Sequence, residues 1–168
     1  MFKIIGKKKE EVPAVEVTHI CPMCYEPVED EDVTINEFTG LPYVKCCPSC
    51  HYKGVALEID KGIADTIMIL NYIGLHTRWS CAGHKHGHNN CEPYIVFEPY
   101  SFANMEEVKH TMMSLPNSWR YDDDKWIARP SITIRGDMDN YPNYLDDIKQ
   151  WAEGLQKELE NMEEKSWV

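Results

Sequence analysis

Cys21-Pro22-Met23-Cys24 and Cys47-Pro48-Ser49-Cys50 are two C-P-x-C knuckles with 22 residues between them. A C-x-x-C turn aims two sulfurs to one side, and two such turns complete a tetrahedron around a metal with bonds of about 2.3 Å. The pattern predicts one zinc ion held by Cys21, Cys24, Cys47 and Cys50. Four thiolates leave no position for water, so the ion is expected to hold structure and not to perform chemistry. Seven cysteines is an odd count, and four of them sit in metal-ligand pairs. That usage points to a reducing compartment, not to a secreted disulfide framework.

Between the knuckles, residues 32–38 alternate with Val33 and Ile35 on one face, 39–42 read as a turn, and 43–46 return as a strand. Knuckle, strand, turn, strand, knuckle over residues 19–54 resembles the zinc-ribbon family. The likeness implies the metal and the local fold and no particular role, because ribbons serve in transcription, translation, enzymes and small accessory proteins. Cys46 breaks the x-x spacing to Cys50, so Cys47 is the expected ligand and Cys46 a small buried hydrophobe. His19 and His51 flank the knuckles and are expected outside the coordination sphere.

The chain has 168 residues, 17 basic and 28 acidic, for a formal charge of -11. Four bound thiolates and a divalent ion would bring it to about -13. This balance argues against general phosphate-backbone binding, although a local basic strip across Lys45, Lys53 and Arg78 stays open. A hydrophobic content of 43% supports a real core, and the most apolar window, 63–75, is too short and too interrupted to cross a membrane. The start of the chain does not read as a secretory signal. The expectation is a cytoplasmic protein.

Residues 1–18 read as a lead-in ending in a strand near 12–17, and 55–168 as an α+β unit. Its elements are a strand at 55–59, a helix opened by Asp60 and closed by Gly74, and a strand at 75–80. A strand at 93–98 and a helix opened by Asn104 with Glu107 as a capping box follow. A hairpin about 122–124 and a strand at 131–135 complete the series. That order predicts a ferredoxin-like split-βαβ sandwich. Leu145, Ile148, Ala152, Leu155, Leu159 and Met162 form a heptad seam on a carboxy-terminal helix, which either packs on the protein's own sheet or makes a homodimer.

The loop from Cys81 to Cys91 holds His84, His86 and His88. Three readings compete there. Cys81, Cys91 and two of the histidines bind a second zinc; Cys81 and His84 form a thiol nucleophile and its base; or the loop is polar and solvated. The stretch 71–84, followed by 93–97, is similar to a pattern L-N-x-x-G, S-C-x-G-H, Y-I-x-F in small bacteriophage-encoded and bacterial proteins of unassigned function. That likeness implies a phage-type protein in a host cytoplasm. A looser likeness is to the S-C-S-G-R signature of a tRNA wybutosine-synthesis methyltransferase family, with Ala82 for serine, His84 for arginine and no methyl-donor motif. The leading expectation is a zinc-binding accessory protein, not an enzyme, that binds a protein or small molecule. Its expected contacts are Arg78, Trp79, Ser80, Cys81 and His84, with Arg129 and Arg135 toward anions. A metal-dependent hydrolase or thiol enzyme at the loop is the alternative, and a nucleic-acid-binding ribbon the second.

Overall fold

The structure is a computed structural model that describes residues 15–86, 89–103, 105–122, 124–131 and 143–166, with the backbone alone at 84–86, 89–91 and 163–166. Strand β1 (Val17–Ile20) leads into the first knuckle. Strand β2 (Pro27–Val28) leaves that knuckle and pairs with β1; β3 (Val33–Ile35) pairs with β4 (Pro42–Val44), and β4 and β5 (Gly54–Val55) flank the second. Strand β6 (Leu57–Asp60) and helix α1 (Ala64–Tyr72) follow, then β7 (Thr77–Cys81), the short hairpin β8 (His84–His86) and β9 (Asn89–Cys91), and β10 (Tyr94–Phe97). Helix α2 (Met105–Met113), β11 (Trp119–Asp122), β12 (Ile127–Pro130) and α3 (Tyr144–Ser166) complete the chain. The fold is mixed α/β, with three helices and several antiparallel sheets among the described residues.

Three sheets matter for the site. One has the order β2-β1-β6, another β3-β4-β5, and the largest β11-β12-β10-β7. The segment expected as one strand at 55–59 is divided. Gly54–Val55 pairs with β4, Ala56 is buried in the metal-side core, and Leu57–Asp60 pairs with β1. The first strand of the split-βαβ plan therefore lies outside the largest sheet, and its last strand, 131–135, falls outside the described residues after Ser131. The described sheets do not confirm a ferredoxin-like arrangement. Residues 1–14, with half of the expected lead-in strand, also lie outside the described residues; of the other half, 15–17, only Val17 belongs to β1.

Two cores form. The larger gathers Ile20, Ile63, Ile67 and Leu70 with Ile95 and Phe97 of β10, Val108 and Met112 of α2, and Ile148, Trp151 and Ala152 of α3. The spacing of 4 and 3 that predicted the first helix is the face α1 buries, since Ile63, Ile67 and Leu70 are at most 2% exposed. Asp60 does not cap that helix; its Oδ2 accepts the Ala82 N–H at 3.0 Å instead. Gly74 ends the turn with φ +89°, a conformation that costs glycine little. Glu107 does reach back over the start of α2, where its Oε2 accepts the Ala103 N–H at 2.6 Å, while Asn104 lies outside the described residues. On α3 the seam is buried only through its first half: Ile148 and Ala152 are inaccessible, but Leu159 is 41% and Met162 69% exposed.

The smaller core holds Cys21, Val28, Val44, Cys47 and Ala56. The turn joining β3 to β4 is fixed by Asn36, whose Oδ1 accepts the N–H groups of Phe38 and Thr39 at 2.9 and 3.1 Å. Among the described residues, no helix is long and apolar enough to cross a membrane.

Candidate metal centre and ligand face

The two knuckles fold alike. The Cys21 carbonyl accepts the Tyr25 N–H at 2.9 Å and the Cys21 N–H donates to the Glu26 carbonyl at 2.9 Å; Cys47 repeats both bonds with His51 at 2.9 Å and Tyr52 at 2.8 Å. The residue after each knuckle is left-handed, Tyr25 at φ 59° and His51 at φ 61°. Neither is glycine, so each position carries a conformational cost met by this hydrogen bonding. In the first knuckle the Met23 N–H also points at Cys21 Sγ, 3.4 Å away.

These turns bring the sulfurs of Cys21, Cys24, Cys47 and Cys50 within 4.8 Å of one another. Cys21 and Cys50 are 3.5 Å apart, and Cys24 and Cys47 are 3.6 Å apart. A tetrahedral tetrathiolate with bonds of about 2.3 Å has sulfur–sulfur edges of about 3.8 Å. The spacing is far beyond the roughly 2.05 Å of a disulfide. The donor set therefore fits a tetrahedral metal ion, and soft sulfur donors suit zinc. Cys46 stands half-buried outside the cluster, and His19 and His51 are outside it too.

Burial and hydrogen bonding act in opposite directions on the clustered thiols. Burial pushes the Cys21 thiol up, and burial chiefly, eased by the Glu26 amide, pushes Cys24 up to about 12. Burial acts upward at Cys47 too, but the amides of Cys50 and Ser49 and the neighbouring thiols of Cys24 and Cys50 outweigh it and lower that thiol to about 7. Crowded thiols share their protons, and a cation at the centre would deprotonate them.

The first knuckle is tied to the larger core. Tyr25 packs against that core, and its hydroxyl lies 3.1 Å from His76 Nδ1. Burial chiefly, with the Tyr100 charge, raises the Tyr25 hydroxyl's pKa. A groove of about 290 Å³ lies beside the first knuckle, lined by Cys24, Tyr25, Glu26, Met68, Ile69, Tyr72 and Gln156. On β1, His19 sits 3.4 Å from Asp30 and 4.0 Å from Glu58.

The residues expected to contact a ligand divide between two places. Arg78, Trp79 and Ser80 line a cleft of about 140 Å³ with Leu57, Glu58, Ile59, Ile67 and Thr77, where the edge strands β6 and β7 meet. Trp79 is 57% exposed, and the Arg78 guanidinium lies 4.3 Å above its ring. Arg129 is on β12 with its Nε buried and without a hydrogen-bond partner. Directly opposite on β11 stands Arg120, which sequence reasoning missed. The hairpin turn expected at 122–124 is longer, closing through Trp126 at φ 55°, and that shifts the register. Cys81 is 4% exposed, with the Gly83 N–H 3.3 Å from its sulfur. The side chains of His84, His86 and Cys91, all of His88, and Arg135 lie outside the described residues; the hairpin backbone pairs His84 with Cys91.

Comparison with protein-family models, curated proteins and solved structures found no match. What the site can do therefore follows from its own geometry.

Proposed function

We propose that this chain is a zinc-stapled binding protein. A ribbon-like module over 19–54 serves as scaffold, and the unit over 55–168 carries the ligand face. The observation that supports it most is the convergence of four sulfurs from two matching knuckles. With all four positions of a tetrahedron supplied by protein, the zinc has no place for a reacting water and acts by holding β1 to β5 together. The separate small core supports the division of the chain.

The exposed Trp79 under Arg78, on an edge strand, supports binding as the role of the second unit. The cleft there, about 140 Å³, is below the roughly 300–1,000 Å³ of drug-sized ligand sites. It suits one side chain or one small group of a larger partner. A phage-type source, a cytoplasmic location and pairing of two copies through the exposed end of the α3 seam belong to the same reading. The enzyme alternative draws support from the His84–Cys91 register in the β8–β9 hairpin.

X-ray absorption at the zinc edge, with metal counting by native mass spectrometry, tests the proposal. One zinc per chain with four sulfur neighbours at about 2.3 Å is expected. A shell containing oxygen or nitrogen would refute the closed site, and a second ion per chain would favour a metal in the Cys81–Cys91 loop.

A further inference from the structure

Antiparallel strands place directly opposite residues on one face, with Cβ atoms about 4.5–5.5 Å apart. Arg120 and Arg129 are such a pair. Like charges in that position repel, and this chain has 28 carboxylates with which to separate them. Yet among the described residues neither arginine forms an ion pair, and the Arg129 Nε is buried with no partner. Asp122, two residues along β11 from Arg120 and on the same face, is 3.6 Å from Lys125. Two arginines placed directly opposite each other, with no ion pair among the described residues, make a local site for an anion in a protein of charge -11.

The surrounding face has the character of a contact surface. Ile127 and Arg129 share it on β12; Ile127 pairs with Val96, and Val96 with Trp79. The opposite face carries Trp119, Ala128, Ile95 and Phe97 into the core. Trp79 thus lies on the arginine side, two strand spacings or about 10 Å across the sheet.

We propose that Arg120 and Arg129 bind a phosphate group of the ligand on this open face. This deepens the binding role proposed above and rests on it. A phosphate monoester is preferred to a carboxylate because a dianion neutralises both guanidiniums, and each can meet it through paired N–H donors. Trp79, beneath Arg78, then offers a ring on which an aromatic portion of the ligand can stack.

The test is calorimetric titration of the full-length, zinc-loaded protein with inorganic phosphate, phenyl phosphate and a mononucleotide, repeated for Arg120→Gln and Arg129→Gln. Wild type should bind phosphate, and each variant should lose at least tenfold in affinity. In phosphate-free buffer Arg129→Gln should melt no lower than wild type, because repulsion is relieved; added phosphate should raise the melting temperature of wild type alone. Tighter binding of the aromatic esters, lost in Trp79→Ala, would identify the source as an aryl or nucleoside phosphate; equal binding of all three would identify phosphate alone. No phosphate binding by wild type, unchanged affinity in both variants, or equal destabilisation of Arg129→Gln with and without phosphate would overturn the site. Zinc content is read on the same samples, so a failed scaffold is distinguished from a failed anion site.

Discussion

Replacing Cys24 by serine removes one of the four converging sulfurs and leaves the rest of the first knuckle intact. Without the metal, the module has little to fall back on. Its own core has three aliphatic side chains, Val28, Val44 and Ala56, of which the two valines contribute about 1.5–3 kcal/mol each. A structural zinc contributes roughly 10–16 kcal/mol in small modules of this kind. On the proposed reading the metal would therefore outweigh the apolar core around the knuckles. Residues 19–55 of Cys24→Ser should exchange amide hydrogen like an unfolded chain, with metal content well below one per chain. The disturbance should reach β6, because β1 pairs with it and Ile20 is buried in the larger core. It should fade by β10. Cys46→Ser is the matched control, since Cys46 is outside the cluster, and it should keep one equivalent of metal. Elemental analysis with hydrogen-exchange mass spectrometry reads both quantities. Stoichiometric metal with undiminished protection in Cys24→Ser, or loss of metal in Cys46→Ser, would refute the four-sulfur assignment.

Asn71, 5% exposed, donates to the Ile67 carbonyl at 2.7 Å and the Thr77 hydroxyl at 2.9 Å and accepts the Thr77 N–H at 3.0 Å. Asn71→Ala leaves that N–H unmet and should cost about 2–3 kcal/mol in urea unfolding, with zinc content unchanged. The Lys149–Asp65 pair, at 2.6 Å, has side chains 41% and 63% exposed, so Asp65→Asn should cost under about 1 kcal/mol. The hydrogen bond to Asp65 chiefly raises the Lys149 pKa above 10.5. With Asp65 ionised, the pair's contribution is thus complete below pH 10.5 and lost as pH climbs through the folded value, so wild type and Asp65→Asn should converge in stability as the medium becomes strongly alkaline.

What was legible in the sequence is what is local. The knuckles announce themselves because two cysteines three apart carry their chemistry in one turn. The α1 face is readable from 3.6-residue periodicity, and Gly74 because a left-handed closure favours glycine. Pairing between distant segments was not readable. Nothing in Val17–Ile20 or Leu57–Asp60 specifies that they are partners, since each is a short strand that would fit any edge. The Arg120–Arg129 juxtaposition was hidden for a different reason: the hairpin closes through a left-handed tryptophan, a residue type that gives no turn signal.

The S-C-x-G stretch, which looked chemical in sequence, serves as a joint in the fold. The Ala82 N–H donates to Asp60 at 3.0 Å and its carbonyl accepts from the Tyr144 hydroxyl at 3.2 Å, so β6, β7 and α3 meet at one residue. Small side chains are required on both sides of the contact. A Cβ on Gly62 would lie 3.2 Å from the Ala82 Cβ and 3.7 Å from Leu145 Cδ1. Gly62→Ala gains about 0.4–1 kcal/mol from the unfolded chain and loses about 1–3 kcal/mol to overpacking, so it should be mildly destabilising. Ala82→Gly opens the same space and alone should also destabilise. If the two residues share one contact, the double substitution should be more stable than the sum of the singles, by about 0.5 kcal/mol or more. Strict additivity in the chemical-denaturation cycle would mean that the joint is not tight. The small residues around Cys81 would then need an explanation in what the following loop binds.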